Sequence, residues 1–199
     1  MRDDTTTDLT QGLDPREGQI IQAAWSCFEQ YGFRKTSMAD IAKGAGMSRP
    51  AVYQYYRNKD DIFCAMAGLV YHKAEAQIAE ALDARGDARV VLTQALQVQG
   101  ATLIEAMLSS PHAEELTAVA QSVATDIWHA GEARLQKLYS AWLEREAEAG
   151  RLHLPASAAQ IAEIITWSMK GLKGAGYDVV TYRTRVTTLA QVIADGLRA

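Results

Sequence analysis

Residues 46–59 read GMSRPAVYQYYRNK. Tyr53, Tyr55 and Tyr56 fill three of four consecutive positions, with Arg49, Arg57 and Lys59 around them. Phenols, guanidinium and ammonium groups at this density are chemistry for a polyanion. A phenol donates to phosphate and lays its ring on sugar or a thymine methyl. Gln54 can pair bidentately with adenine, Arg49 can reach guanine or phosphate, and Lys59 suits phosphate. Geometry divides the tyrosines. Val52 and Tyr56 are four residues apart and share an inward helical face, whereas Tyr53, Gln54 and Tyr55 take other angles.

These residues need a scaffold, and the flanking sequence supplies helices. Ile20, Ile21, Ala24, Trp25 and Phe28 recur at helical spacing, and Gly32 ends that run. Thr36 and Ser37 open a second, short helix with Met38, Ile41, Ala42 and Ala45 on its apolar side. Ser37 and Asp40 have capping-box spacing, with Thr36 as the alternative cap. Gly44 and Gly46 close it. Ser48 caps a third helix with Pro50 in its first turn, where a missing N–H costs little. Two short helices around a glycine-containing turn predict a helix-turn-helix, whose second helix can enter a major groove. The free N–H groups and hydroxyls at Thr36 and Ser37 suit phosphate. A packing module with a solvated basic face is the competing reading of the same pattern.

Beyond Lys59 the chain predicts more helices: about 59–84, 88–108, 112–122, 125–149, 158–173 and 179–197. No alternating β-branched run occurs. The expected fold class is therefore all-α, with about nine helices. Residues 1–15 form a polar tail, 16–58 a helix-turn-helix domain, and 59–199 a larger helical domain.

Charge follows the same division. Between Arg16 and Lys59 seven basic side chains face three acidic ones, a local excess of +4, so the rest of the 199-residue chain carries −8. Phosphates respond to charge within a Debye length, so the local excess outweighs the net −4. The 48% hydrophobic and 22% charged content is that of an ordinary globular protein. No apolar run reaches the roughly 18 residues of a membrane span, and the polar N-terminus lacks a signal-peptide core. The expected compartment is the cytoplasm. Cys27 and Cys64 lie in helical patterns and read as reduced. His112, His129 and His153 are scattered and read as surface residues. No metal-ligand spacing occurs, no cofactor is expected, and no phosphate loop, G-x-S-x-G or H-E-x-x-H motif supports an enzyme.

The run Gly32–Phe63, GFRKTSMADIAKGAGMSRPAVYQYYRNKDDIF, resembles the N-terminal domain of TetR/AcrR-family transcriptional regulators. Gly32-Phe33, Thr36-Ser37, Ile41-Ala42, Gly46-Met47-Ser48, Val52-Tyr53, Tyr56 and Lys59-Asp60 carry the likeness. Tyr56 stands where the family usually has Phe, and Met47 where it usually has Val. The resemblance implies DNA-facing positions at Thr36, Ser37, Ser48, Arg49, Pro50, Tyr53, Gln54, Tyr55 and Lys59. It also implies a homodimer made mainly by the last two helices, a palindromic double-stranded DNA operator, and release by a small molecule bound in the helical body.

In the body, apolar residues on the last two helices cover more than one stripe. Ile161, Ile165, Ser168, Leu172, Leu189, Val192 and Ile193 are the expected dimer face; burial in the core is the alternative. Met66, Leu103, Met107, Trp128, Tyr139, Trp142 and Trp167 are pocket candidates, and their apolar, aromatic bias suits a hydrophobic or aromatic effector. Two other readings stay open: a helical interaction protein with an idle DNA-binding unit, and an activator of the same fold.

Overall fold

A computed structural model describes residues 10, 12–102, 110–172 and 178–198. These contain nine helices and, outside an isolated bridge between Leu152 and Arg198, no strand pairing. The helices are α1 (Pro15–Tyr31), α2 (Met38–Gly44), α3 (Arg49–Tyr53), α4 (Lys59–Asp83), α5 (Ala88–Gly100), α6 (Ala113–Val123), α7 (Thr125–Glu148), α8 (Ala158–Gly171) and α9 (Val179–Gly196). The all-α expectation and the helix count hold. Leu103 and Met107, two of the pocket candidates, lie outside the described residues, as does the far end of the predicted 88–108 helix.

The chain divides into two compact units, residues 1–71 with 110–128, and residues 72–109 with 129–199. The first holds the three N-terminal helices, the start of α4, and α6. Its core is a trio of rings from three segments. Phe28 of α1 lies 5.1 Å from Phe33 in the following loop and 5.9 Å from Phe63 of α4, and Phe33 meets Phe63 edge-on at 5.5 Å. Such pairs add about 0.5–1.5 kcal/mol each beyond burial. Ile20, Ile21, Ile41, Val52 and Ile62 are buried with the rings.

Caps fix where these helices begin. Asp14 accepts from the Arg16 and Glu17 amides at the start of α1, with Pro15 as the first helical residue. Ser37, not Thr36, caps α2. Its Oγ accepts from the Asp40 amide, and Asp40 in return accepts from the Ser37 amide at 2.9 Å. Those donors, with the Ser37 hydroxyl first, hold the Asp40 carboxyl below its usual range. Ser48 caps α3 by accepting from the Ala51 amide. Gly46, at φ +66°, makes the left-handed step between α2 and α3 that a side chain would oppose.

The second unit is built on α5 against α9. Gly100 is what lets them meet, because a β-carbon there would stand 2.9 Å from Tyr182 Cε1. Leu92, Leu96, Leu135, Tyr139, Ile165, Tyr182 and Val186 fill this core. The buried Tyr139 hydroxyl donates to Gln99 Oε1 at 2.7 Å, and Gln136 Nε2 donates to buried Thr166. Glu132 and Lys170 form an ion pair at 3.1 Å. Burial first, and the Glu132 charge second, push the Tyr139 phenol well up.

Candidate nucleic-acid interface

The expected helix-turn-helix is present, with its two helices at Met38–Gly44 and Arg49–Tyr53. α2 packs on α1 and on α3, and the Met47 amide donates to the Ala42 carbonyl at 2.9 Å, closing the turn. With only five residues, α3 has one fully buried side chain, Val52; Ala51 is half-buried and Arg49, Pro50 and Tyr53 face solvent. Ser48, Arg49, Pro50, Tyr53 and Gln54 are all exposed. Arg49 and Tyr53, four residues apart, form a pre-set pair. The guanidinium lies 5.5 Å from the ring centroid and donates to the phenol oxygen at 3.2 Å. This leaves the other guanidinium N–H groups and the Tyr53 hydroxyl proton for a partner. Ser37 is exposed, but its hydroxyl donates to Asp40 Oδ2 at 2.6 Å, so it serves the cap first.

Three expected DNA-facing side chains are turned elsewhere. Thr36 is buried. Its hydroxyl donates to the Gly32 carbonyl at 2.8 Å and the Cys27 carbonyl at 3.2 Å, satisfying oxygens at the end of α1. The Gly32 carbonyl lies past the last turn of α1, where it has no helical partner and needs a donor, which explains a hydroxyl at this position without any ligand. The Lys59 ammonium donates to the carbonyls of Phe33, Arg34 and Thr36 at 2.6, 3.2 and 2.9 Å and lies 4.5 Å from the Phe33 ring centroid. Half-buried Tyr55 donates to Asp14 Oδ1 at 3.1 Å, tying α3 to the cap of α1. Tyr56 is buried, as its spacing from Val52 requires, and donates to Glu17 at 2.7 Å. Burial first and Glu17 second push its phenol well up.

Sequence reading missed the support that α6 gives. Ser110 Oγ donates to the Glu29 carbonyl at 3.2 Å, His112 Nε2 lies 3.3 Å from the Gln30 carbonyl, and Glu115 accepts from the Arg34 amide at 2.7 Å. His112 is thus half-buried against the end of α1. These partners are some 80 positions apart, and no local pattern signals them.

The body candidates scatter. Met66 is buried and Trp128 half-buried in the first unit. In the second, Tyr139 is in the core, and Trp142 lines a groove of roughly 380 Å³ with Leu82, Leu138 and Arg145. Trp167 is 53% exposed, with the Lys170 ammonium 4.0 Å from its ring centroid, so it faces outward instead of lining a pocket. The dimer set also needs correction. Ile161 and Ile165 are buried within the second unit, because they point the same way as Ala162, Thr166 and Met169. Ser168, Leu172, Leu189 and Ile193 are half-exposed, and Val192 is exposed. The apolar side chains α8 leaves open are Ile164 and Trp167. No group of three or more His, Cys, Asp or Glu side chains among the described residues could hold a metal, and no described helix is long and apolar enough to cross a membrane.

Comparison with known proteins agrees with this arrangement. Residues 20–66 match the family described as bacterial regulatory proteins, tetR family. The transcriptional repressor Rv1474c of Mycobacterium tuberculosis is 38% identical over 55 residues, 28% of this chain and 29% of that protein. The chain matches no more than half the length of the first curated relatives. Solved structures extend the likeness in fold to almost the whole chain. A transcriptional regulator from Cytophaga hutchinsonii superposes with a TM-score of 0.77 at 16% identity, covering 94% of this chain and 100% of that one. SmeT in complex with triclosan superposes at 0.70 and 19% identity, covering 94% and 93%. The chain is therefore similar to tetR-family regulatory proteins at residues 20–66, and its fold is similar to that of a TetR-family regulator from Mesorhizobium loti, at a TM-score of 0.71 and 17% identity over 92% of this chain and 97% of that one.

Proposed function

We propose that this protein is a DNA-binding transcriptional repressor that holds a palindromic operator as a homodimer and is released by a small hydrophobic or aromatic molecule. The observation that carries the reading is the surface of α3. Ser48, Arg49, Tyr53 and Gln54 are exposed together on a helix whose inward side is anchored by Val52 and Tyr56, with Arg49 and Tyr53 already paired. An idle unit has no need of a pre-set arginine on its outer face. Arg49 and Gln54 are the base-reading candidates, while Tyr53, Ser37 and Ser48 position the backbone.

The exposed surface of the body supports the two-fold reading. Exposed Ile164 and Trp167 on α8 and Val192 on α9 form apolar surface that a second copy would cover, and a two-fold protein places two α3 helices on two half-sites. Rv1474c is named a repressor, and SmeT is described as the repressor of a multidrug efflux pump and was solved with triclosan. Those descriptions support repression and an aromatic effector here. An effector releases DNA only to the extent that it prefers the unbound form, and the coupling is reciprocal. The test is selection of bound duplexes from a random pool at moderate salt. An enriched inverted repeat is expected. A single unpaired half-site would remove the dimeric operator, and only salt-sensitive background binding would remove sequence-specific regulation.

A further inference from the structure

We infer that Glu132 lets two copies of this chain close over Lys170: its carboxylate is the internal counter-charge that keeps the lysine beside Trp167 from opposing a dry dimer contact. The inference rests on the homodimer of the proposed function and deepens it. It names a side chain from behind the contact face that decides whether that face can be buried.

Ile164 and Trp167 are exposed at helical-neighbour spacing on α8, and Lys170 follows at the same spacing. A lysine there would ordinarily reach into water. Instead its ammonium lies 4.0 Å from the Trp167 ring centroid and 3.1 Å from the Glu132 carboxylate on α7. The Lys170 side chain is 18% exposed and that of Glu132 9%. The carboxylate is thus already dehydrated within one subunit, whereas the lysine keeps part of its water. Its place in the last turn of α8 also suits a cation, but that role asks for no buried acid on another helix.

A two-fold contact sets each patch against its own copy. Two lysines carried in with the two Trp167 rings would repel, and an ammonium that loses its water without a partner is strongly disfavoured. With Glu132 behind it, Lys170 adds no net charge to the face, so the aromatic and aliphatic side chains can meet dry. The ammonium also lies against the Trp167 ring, and a cation–π contact strengthens as water leaves. A neutral, self-complementary patch fits a second copy of this chain, and a charged partner would gain nothing from it. Buried ion pairs do little for stability compared with apolar replacements; the use of this one is to permit the contact.

The experiment compares E132Q, K170M and the double variant E132Q/K170M with the wild-type full chain. It measures the dimer dissociation constant by sedimentation over a salt series, with helicity and thermal unfolding at concentrations where the subunits are separate. E132Q should raise the constant about thirtyfold, because each dimer then buries two ammonium groups without their carboxylates. It should also make dimerisation salt-sensitive, with added salt recovering part of the loss. Its unfolding midpoint should move little, since in a single subunit the flexible lysine can lift its head into water. K170M should do the reverse, lowering the midpoint by about 5 °C through the carboxylate stranded in the core and leaving the constant within about threefold of wild type. The double variant should dimerise within about threefold of wild type and lose the salt sensitivity. E132Q with the wild-type constant and salt response would overturn the inference. So would a double variant as weak as E132Q, because the loss would then not come from the ammonium. An E132Q chain without its helicity would make Glu132 a residue of the fold and overturn it too. A wild type that stays monomeric across the concentration range removes the dimer reading and the inference with it, whereas a dimeric wild type with an unresponsive E132Q removes the inference alone.

Discussion

The two compact units expose different kinds of large side chain. Among the described residues of the unit around the helix-turn-helix, the large hydrophobic ones left in solvent are Tyr31 and Tyr53, both tipped with a hydroxyl. Among the described residues of the other they are Val90, Ile164, Trp167, Val180 and Val192, with no polar tip except the indole N–H. A phenol on a basic surface can be wet in one state and hydrogen-bonded to a phosphate in another, at little cost in either. Isoleucine and valine gain only by leaving water. The first surface is suited to a hydrated, charged partner and the second to a packed protein face, so their responses to substitution should also differ.

The largest expected effect breaks the second surface. Trp167→Asp places a charge where the proposed dimer would be driest, and should raise the dimer dissociation constant about a hundredfold or more, in line with a central aromatic anchor. Because Trp167 is 53% exposed in the single chain, the fold of each subunit should be kept. Sedimentation across a micromolar concentration range, with helicity measured alongside, checks both halves. Unchanged mass in the mutant would move the dimer contact off α8 and leave the apolar exposure there unexplained.

A backbone change in the first unit comes next. Gly32 ends α1 at φ +81° and ψ 160°, a region nearly reserved for glycine, and a β-carbon there would overlap Glu115 Oε2 and stand 3.2 Å from His112 Nδ1. Gly32→Ala should cost about 2 kcal/mol in unfolding free energy from the backbone alone. It should also free the Arg34 amide from Glu115 and so weaken duplex binding. The matched control is Gly100→Ala in the second unit. There the backbone is helical and the obstacle is the buried Tyr182 ring, so the cost comes from overpacking, about 1–3 kcal/mol. Denaturant titration of both variants separates the two mechanisms, since repair by Glu115→Ala is expected to relieve only the side-chain share at Gly32. Full recovery in that double variant would mean that backbone strain contributes nothing.

How far these features were legible in the sequence depends on their range. Helix limits were readable because the signals are local: Gly32 after an apolar run, and Ser37 three residues before Asp40. The inward placement of Val52 and Tyr56 followed from one spacing. What sequence did not show is where a polar group spends its donors. Thr36, Tyr55 and Lys59 have the right chemistry for DNA, yet each is engaged by an oxygen of the protein itself, from Cys27, Asp14 or Phe33. The partner of Lys59 is 26 residues away and that of Tyr55 is 41, distances at which periodicity carries no information. The second unit was harder for a related reason. Ile161, Ile164, Ile165 and Trp167 are equally apolar, and only the packing against neighbouring helices decides that the first and third are inside.

The smallest expected effect tests whether the two units share an acid response. Asp40 completes the capping box of α2 with Ser37, whose hydroxyl and amide lower its pKa; Asp178 caps α9, and the Thr181 amide leads the lowering there. A carboxyl whose folded pKa lies below its unfolded value of about 4 contributes stability that is complete above that value and is lost as pH falls through the folded pKa. The wild-type unfolding midpoint should therefore drop between about pH 5 and pH 2, and each cap should account for a part of the slope. Asp40→Ala should lower the midpoint slightly at pH 7 and flatten the acid limb, with faster amide exchange confined to the start of α2. Asp178→Ala should do the same at the start of α9. Both carboxylates are solvent-exposed, so the shifts are small and salt-sensitive. Exchange that spread from the Asp40 variant into α9 would show the two units opening as one, and the contrast between their surfaces would then have no counterpart in their stability.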